Sequence, residues 1–248
     1  MKLCVLDNDV LDPAVVDAYT SYAAMFVRLL REAGFEATID IFNTVQGHYP
    51  ASFDDYDAVL LTGSRADSFS AEPWVQVLRQ HVTQLLQAKK KLIGVCFGHQ
   101  LIALCLGAKV GRAPQGWGTG RMTYRWHQSD FFQAPAQAPQ PPRTEIALLA
   151  SHQDQVFELP AGATLLASND FCPVAAFAVG QQVLCVQPHP EFLASYSAYL
   201  LESRRAQLGE ARYNQSYQSL AQAHDGLFMA GVMRAFLEGA PASVGASL

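Results

Sequence analysis

Short apolar runs alternating with amphipathic stretches of helical length constrain this chain more than any other feature. Leu3–Leu6, Ala58–Leu61 and Leu92–Val95 are too short for helices and read as buried strands. Between them, Tyr19–Ala33 places Ala23, Phe26, Val27 and Leu30 on one helical face, with Gly34 as the stop. Ala37–Phe42 alternates as a strand. Trp74–Ala88 is helical, with Val77, Leu78, Val82, Leu85 and Leu86 at core positions, and Gly98–Leu106 is the next helix. This β-α-β-α rhythm predicts a three-layer α/β/α sandwich with a mostly parallel sheet.

Beyond Gly111 the pattern turns to strands: Arg121–Trp126, Ile146–Ala150, Thr164–Ala167, Val174–Ala178 and Val183–Gln187. Gln133–Arg143, rich in Pro, Gln and Ala, reads as an exposed loop within one domain. The expected organisation is a single domain over 1–248, with a core to about residue 192, a helical extension over about 195–238 and a frayed Gly239–Leu248 end. The net charge of −5, with no basic cluster beyond Lys89-Lys90-Lys91, argues against nucleic acid as a partner. The lysines sit where a helix should end and read as dipole compensation. Leu92–Val110 approaches the length of a membrane span, but Gly94, Gly98, His99 and Gln100 interrupt it, and a strand followed by a buried helix explains it better. Five scattered cysteines show neither metal-ligand nor disulfide spacing, and no secretion signal is visible, so a reducing cytoplasm is expected.

The chemistry concentrates in Leu92-Ile93-Gly94-Val95-Cys96-Phe97-Gly98-His99-Gln100. A strand enters a helix through an elbow with glycine two residues before and two after the cysteine, where side chains would collide. Cys96 is thereby raised at the top of the sheet and sits at a helix N-terminus, where the dipole favours thiolate. A base arrives with Pro188-His189-Pro190-Glu191, after the strand Val183–Gln187. Alternation puts His189 and Glu191 on one side, so that Glu191 can orient the imidazole toward the thiol. For the oxyanion, the backbone N–H of Phe97 is one donor, and the Gly63-Ser64 turn, through a backbone angle open to glycine, offers a second.

At these residues the chain resembles class I, triad-type glutamine amidotransferases (a flavodoxin-like fold). Gly94-Val95-Cys96-Phe97-Gly98-His99-Gln100 and His189-Pro190-Glu191 carry the likeness, and Ser151-His152-Gln153-Asp154-Gln155-Val156 resembles the Ser-His-x-Asp-x-Val segment of the GMP-synthase-like branch. Thr62-Gly63-Ser64 stands at the family's oxyanion loop, although Gly63-Ser64-Arg65 replaces the frequent Gly-Gly-Pro. The resemblance implies attack of Cys96 on the side-chain amide of glutamine, release of ammonia and hydrolysis of a glutamyl thioester, with no metal or organic cofactor. It implies a substrate pocket at Gln100, Ser151 and His152, and a stand-alone member of the branch, with a separate synthetase as a possible ammonia acceptor.

Several readings stay open. The same triad can serve a γ-glutamyl peptidase or another C–N hydrolase, or a regulatory binding protein with a silent site; redox proteins of similar fold lack a reason for the His-x-Glu pair. A metal site at His152, Asp154, His189 and Glu191 is disfavoured, because the nucleophile–base arrangement accounts for the last two. His152 and Asp154 can instead cap a following helix or turn. His99 is expected in packing, and Trp117 and Arg121 as a pocket wall. Oligomeric state is open, with Tyr199 and Leu227 as candidate surface anchors.

Overall fold

A computed structural model describes residues 1–127 and 143–239. In chain order the elements are β1 (Lys2–Asp7), α1 (Pro13–Tyr19), α2 (Tyr22–Glu32), β2 (Thr38–Asn43), β3 (Ala58–Leu61), α3 (Pro73–Gln87), β4 (Lys91–Val95), α4 (Phe97–Cys105) and β5 (Val110–Arg112). They continue with β6 (Gly118–Trp126), β7 (Glu145–His152), β8 (Asp154–Val156), β9 (Thr164–Ser168), β10 (Ala176–Val179) and β11 (Val183–Val186). Four helices close the described chain: α5 (Ala194–Ser203), α6 (Arg205–Leu208), α7 (Glu210–Ser219) and α8 (Gly226–Glu238).

The main sheet has nine strands in the order β2-β1-β3-β4-β11-β10-β9-β6-β7. Pairing is parallel from β2 through β11 and antiparallel beyond it. Alternation along the parallel strands divides their side chains between two cores. Leu3, Val5, Leu60, Ile93, Val95, Leu184 and Val186 pack with Phe26 and Leu30 of α2 and Met229, Val232 and Phe236 of α8. Cys4, Leu6, Val59, Leu61, Leu92 and Cys185 pack with Leu78, Val82 and Leu85 of α3 and Leu101 and Ile102 of α4. Strands apolar on both faces thus acquire a helical layer on each, as the rhythm of the sequence requires.

Several local expectations change. Two helices meet at the start of the one expected over Tyr19–Ala33: α1 ends at Tyr19 and α2 starts at Tyr22, because Thr20 takes a positive φ of 63° and Ser21 restarts the chain by accepting the N–H of Ala24. The first of them, α1, has a legible start in Asp12 as N-cap and Pro13 at N1. On α3 the inward residue is Val75, and Val77 is exposed. The strand expected over Val174–Ala178 begins only at Ala176, and β11 stops at Val186. No helix follows His152 and Asp154; they flank the step from β7 into β8, which pairs with β5 in a separate two-stranded sheet. Lys91 donates to the Phe236 and Leu237 carbonyls, so it serves the end of α8 instead of α3. The Gln133–Arg143 loop, apart from Arg143, and the Gly239–Leu248 end, apart from Gly239, lie outside the described residues.

Leu92–Val110 is β4, α4 and the step into β5, and among the described residues no helix is long and apolar enough to cross a membrane. The third core joins Leu11, Val15, Tyr22, Met25, Leu149 and Phe192 to Tyr196 and Leu200 of α5. Tyr199 packs partly against it, while Leu227 is exposed.

Candidate active site

Cys96 stands between β4 and α4 with φ 52° and ψ −103°, a conformation that costs an L-residue on the order of 1–3 kcal/mol. The two elbow glycines explain how the surroundings hold it there. A Cβ on Gly94 would lie 2.6 Å from the Gly98 carbonyl oxygen, and one on Gly98 would lie 2.5 Å from the Leu61 carbonyl oxygen. Contact this close lets α4 start directly over the ends of β3 and β4. The Cys96 N–H donates to the Val186 carbonyl at 2.9 Å, which ties the elbow to the strand that leads to His189.

His189 lies on the loop after β11, where its N–H donates to Leu149 O at 2.8 Å. Its ring stacks on Phe192 with centroids 3.8 Å apart, and the Tyr22 ring lies 6.2 Å from the imidazole. Nδ1 hydrogen-bonds Glu191 Oε1 at 2.7 Å, and Glu191 is fully buried. Burial disfavours a charged imidazole, but the electrostatic and hydrogen-bonding influence of Glu191 and Cys96 on the ring outweighs it. The His189 pKa is pushed up to about 10. Glu191 Oε2 has no hydrogen-bond partner among the described residues, so the carboxylate depends on His189 for its neutralisation.

Gly63 follows β3 in the loop facing this pair. A Cβ there would meet His189 Cε1 at 2.7 Å and Cys96 Cβ at 3.6 Å. The reason for glycine is therefore space for the imidazole; Gly63 is not among the glycines with positive φ, contrary to the backbone-angle argument from sequence. Thr62 N–H donates to Leu6 O, and the Thr62 carbonyl accepts from Gly98 N–H. Asn8 binds Thr62 twice, through its own N–H to Oγ1 at 2.9 Å and through Nδ2 to the carbonyl at 3.0 Å. Asp9 then accepts the Arg65 N–H at 2.8 Å and Arg65 Nε at 2.9 Å. Arg65 thus pins the loop to the end of β1. The Arg65 N–H is occupied, whereas Phe97 N–H, first in its helix, has no carbonyl a turn earlier to satisfy it.

Gln100 is buried on α4, and its Nε2 donates to Asp154 O at 2.9 Å and Gln187 Oε1 at 3.2 Å. His152 is buried as well; burial and then the charge of His189 push its pKa down to about 3, so it stays neutral beside the imidazolium. Ser151 Oγ accepts from Arg204, whose guanidinium lies over the Trp117 ring. Trp117 does flank the region, but Arg121 turns away, toward Ala223 O. His99 is fully buried against Phe177. Among the described residues no group of three His, Cys, Asp or Glu is placed to hold a metal ion. Cys96, His189, Glu191, Gly63 and Phe97 therefore come together, with Ser64 in the same loop and Gln100, Ser151 and His152 around them. Asn8, Tyr22, Phe192 and Arg204 escaped the sequence reading; Asp7 and Asp9, where the first apolar run stops, were legible as an edge-of-site strand end.

Solved structures share this fold. A glutamine amidotransferase from Thermotoga maritima superposes with a TM-score of 0.72 at 19% identity, covering 96% of each chain. By sequence, the class-I glutamine amidotransferase family matches residues 14–203, and the chain belongs to that family. It is 34% identical over 185 residues to gamma-glutamyl peptidase 3 of Arabidopsis thaliana, covering 72% of each chain. It is also 30% identical over 178 residues to a subunit of the glutamine-hydrolyzing GMP synthase of Methanocaldococcus jannaschii, covering 71% of this chain and 86% of that one. Family and relatives together make it a cysteine-dependent C–N hydrolase.

Proposed function

We propose that the protein hydrolyses the amide C–N bond of γ-glutamyl compounds, with Cys96 as nucleophile, His189 as proton carrier and Glu191 as its orienting partner. The observation that carries this reading is the strained elbow cysteine placed against a buried His189–Glu191 pair. The Cys96 sulfur, as thiolate paired with the His189 imidazolium, attacks the γ-carbonyl carbon. The tetrahedral oxyanion is received by the Phe97 N–H and by the Gly63-Ser64 backbone. As the C–N bond breaks, His189 gives its proton to the departing amine and leaves a glutamyl thioester. Water, deprotonated by the now neutral His189, hydrolyses the thioester to glutamate and regenerates the thiolate–imidazolium pair. Gln100 holds the β8 and Gln187 segments around the γ-glutamyl group, and Ser151 and His152 face its backbone end.

The leaving group is assigned to an amino acid or short peptide, because four relatives at 32–34% identity are gamma-glutamyl peptidases. Free glutamine, with ammonia passed to a synthetase partner, is the second reading, supported by the likeness to the GMP synthase of Methanocaldococcus jannaschii. Purified protein is incubated with γ-glutamyl dipeptides and with glutamine beside Cys96→Ala, and released amino acid, ammonia and glutamate are measured. Dipeptide cleavage that vanishes in Cys96→Ala is expected, and it should persist until the pH approaches about 10, where His189 loses its proton. Ammonia from glutamine with intact dipeptides would move the assignment to glutaminase, and inactivity toward both would remove the hydrolase reading.

A further inference from the structure

Arg204 is set apart from the arginines that pair with carboxylates around it. It lies at the junction of α5 and α6, half-buried, and makes no ion pair among the described residues. Its neighbour Arg205, in contrast, binds Glu210 and Glu202. Arg204 Nη1 donates to Ser151 Oγ, and its guanidinium carbon lies 4.9 Å from the Trp117 ring centroid. Among the described residues the Nε–Nη2 edge has no hydrogen-bond acceptor. That edge is the planar fork a carboxylate accepts in two parallel bonds.

The position is next to the chemistry. Ser151 is two residues beyond Leu149, whose carbonyl holds His189 N–H, and alternation along β7 puts both on one side. Tyr22, which bonds Tyr196 through their hydroxyls at 3.2 Å, has its ring centroid 6.2 Å from His189 and 5.7 Å from Phe192. Burial raises the pKa of both tyrosines, and the Arg204 charge acts on each in the opposite direction, which places the cation within electrostatic reach of them. Holding an arginine half-buried by a neutral hydroxyl and an indole face, with no ion-pair partner among the described residues, leaves its charge available to an incoming anion. Every γ-glutamyl substrate brings one.

We propose that Arg204 is a specificity-determining residue whose free Nε–Nη2 edge binds a carboxylate of the γ-glutamyl substrate, an inference that rests on the hydrolase reading for the nature of that substrate. Two carboxylates qualify: the α-carboxylate of the glutamyl group and the C-terminal carboxylate of the leaving amino acid. In the Cys96→Ala background, which needs no turnover, dissociation constants are measured by calorimetry for γ-glutamylalanine, its C-terminal amide and its α-carboxamide. Arg204→Gln is expected to weaken γ-glutamylalanine about tenfold or more, with partial recovery in Arg204→Lys. It should have little effect on the one ligand that already lacks the recognised carboxylate, and this ligand identifies the source. Equal weakening of all three would make Arg204 a structural tie to Ser151 and overturn the proposal. So would affinities unchanged within twofold, or failure of the parent variant to bind any of the three. Turnover by the Cys96 enzyme is recorded separately: binding that depends on Arg204 without cleavage would sink the hydrolase reading and leave the carboxylate contact standing.

Discussion

At Gly63 the absent side chain leaves the volume in which the His189 ring sits, since a Cβ would come within 2.7 Å of Cε1. The neighbours cannot give way easily, because the ring is stacked on Phe192 and bonded to Glu191. Gly63→Ala should therefore keep the fold, read by circular dichroism, while kcat of the proposed hydrolysis falls by roughly two orders of magnitude from displacement of the His189 imidazole. A variant with unchanged kcat would show that the imidazole can shift at no cost. The meeting of Cys96, His189 and Glu191 was legible in the sequence because each belongs to a local pattern. Glycines two residues to either side of a cysteine encode an elbow, and an i, i+2 His–Glu pair encodes a shared side. Gly63 was legible as a residue but for a different reason, since nothing within its own segment says that an imidazole 126 positions later (189 − 63) fills the space.

Between elements, one arginine braces the loop after β3 against the small sheet. Arg112 of β5 bonds Asp67 at 3.0 Å, in the same loop as Gly63, and Asp154 of β8 at 3.2 Å. The Asp154 carbonyl in turn holds Gln100 of α4. Burial, with the hydrogen bond and charge of Asp67, pushes the Asp154 pKa up from 3.8 to about 7, and Arg112 opposes this. A raised carboxyl takes up protons on folding, so stability from this group declines as pH rises from about 4 to about 7. Arg112→Met should carry that decline to higher pH, so that the loss of Tm relative to the parent is larger at pH 8 than at pH 5. A Tm difference independent of pH would mean that Arg112 contributes packing alone. The small sheet itself went unseen in the sequence: three-residue strands have too few positions to display a period, and their pairing is set by the partner.

Over the whole molecule, stability comes from two helical layers clamped onto strands that are apolar on both faces. Phe26 of α2 is fully buried between the sheet and α8. Phe26→Ala should cost about 3–5 kcal/mol in urea denaturation, and a loss below about 1 kcal/mol would show that the layer repacks freely. Periodicity sufficed for the layers because strand alternation and helical spacing act over a few residues, as do the elbow and the His-x-Glu pair. Tertiary structure alone decided the rest. It inserted β11 beside β4, so that His189 arrives next to Cys96, and it separated α1 from α2 at Thr20 to set Tyr22 near His189. It also folded α5 back until Arg204 reached Ser151. Each of these is a contact between distant segments, and such contacts follow from how the whole sheet closes its two cores; no short stretch of sequence contains both partners.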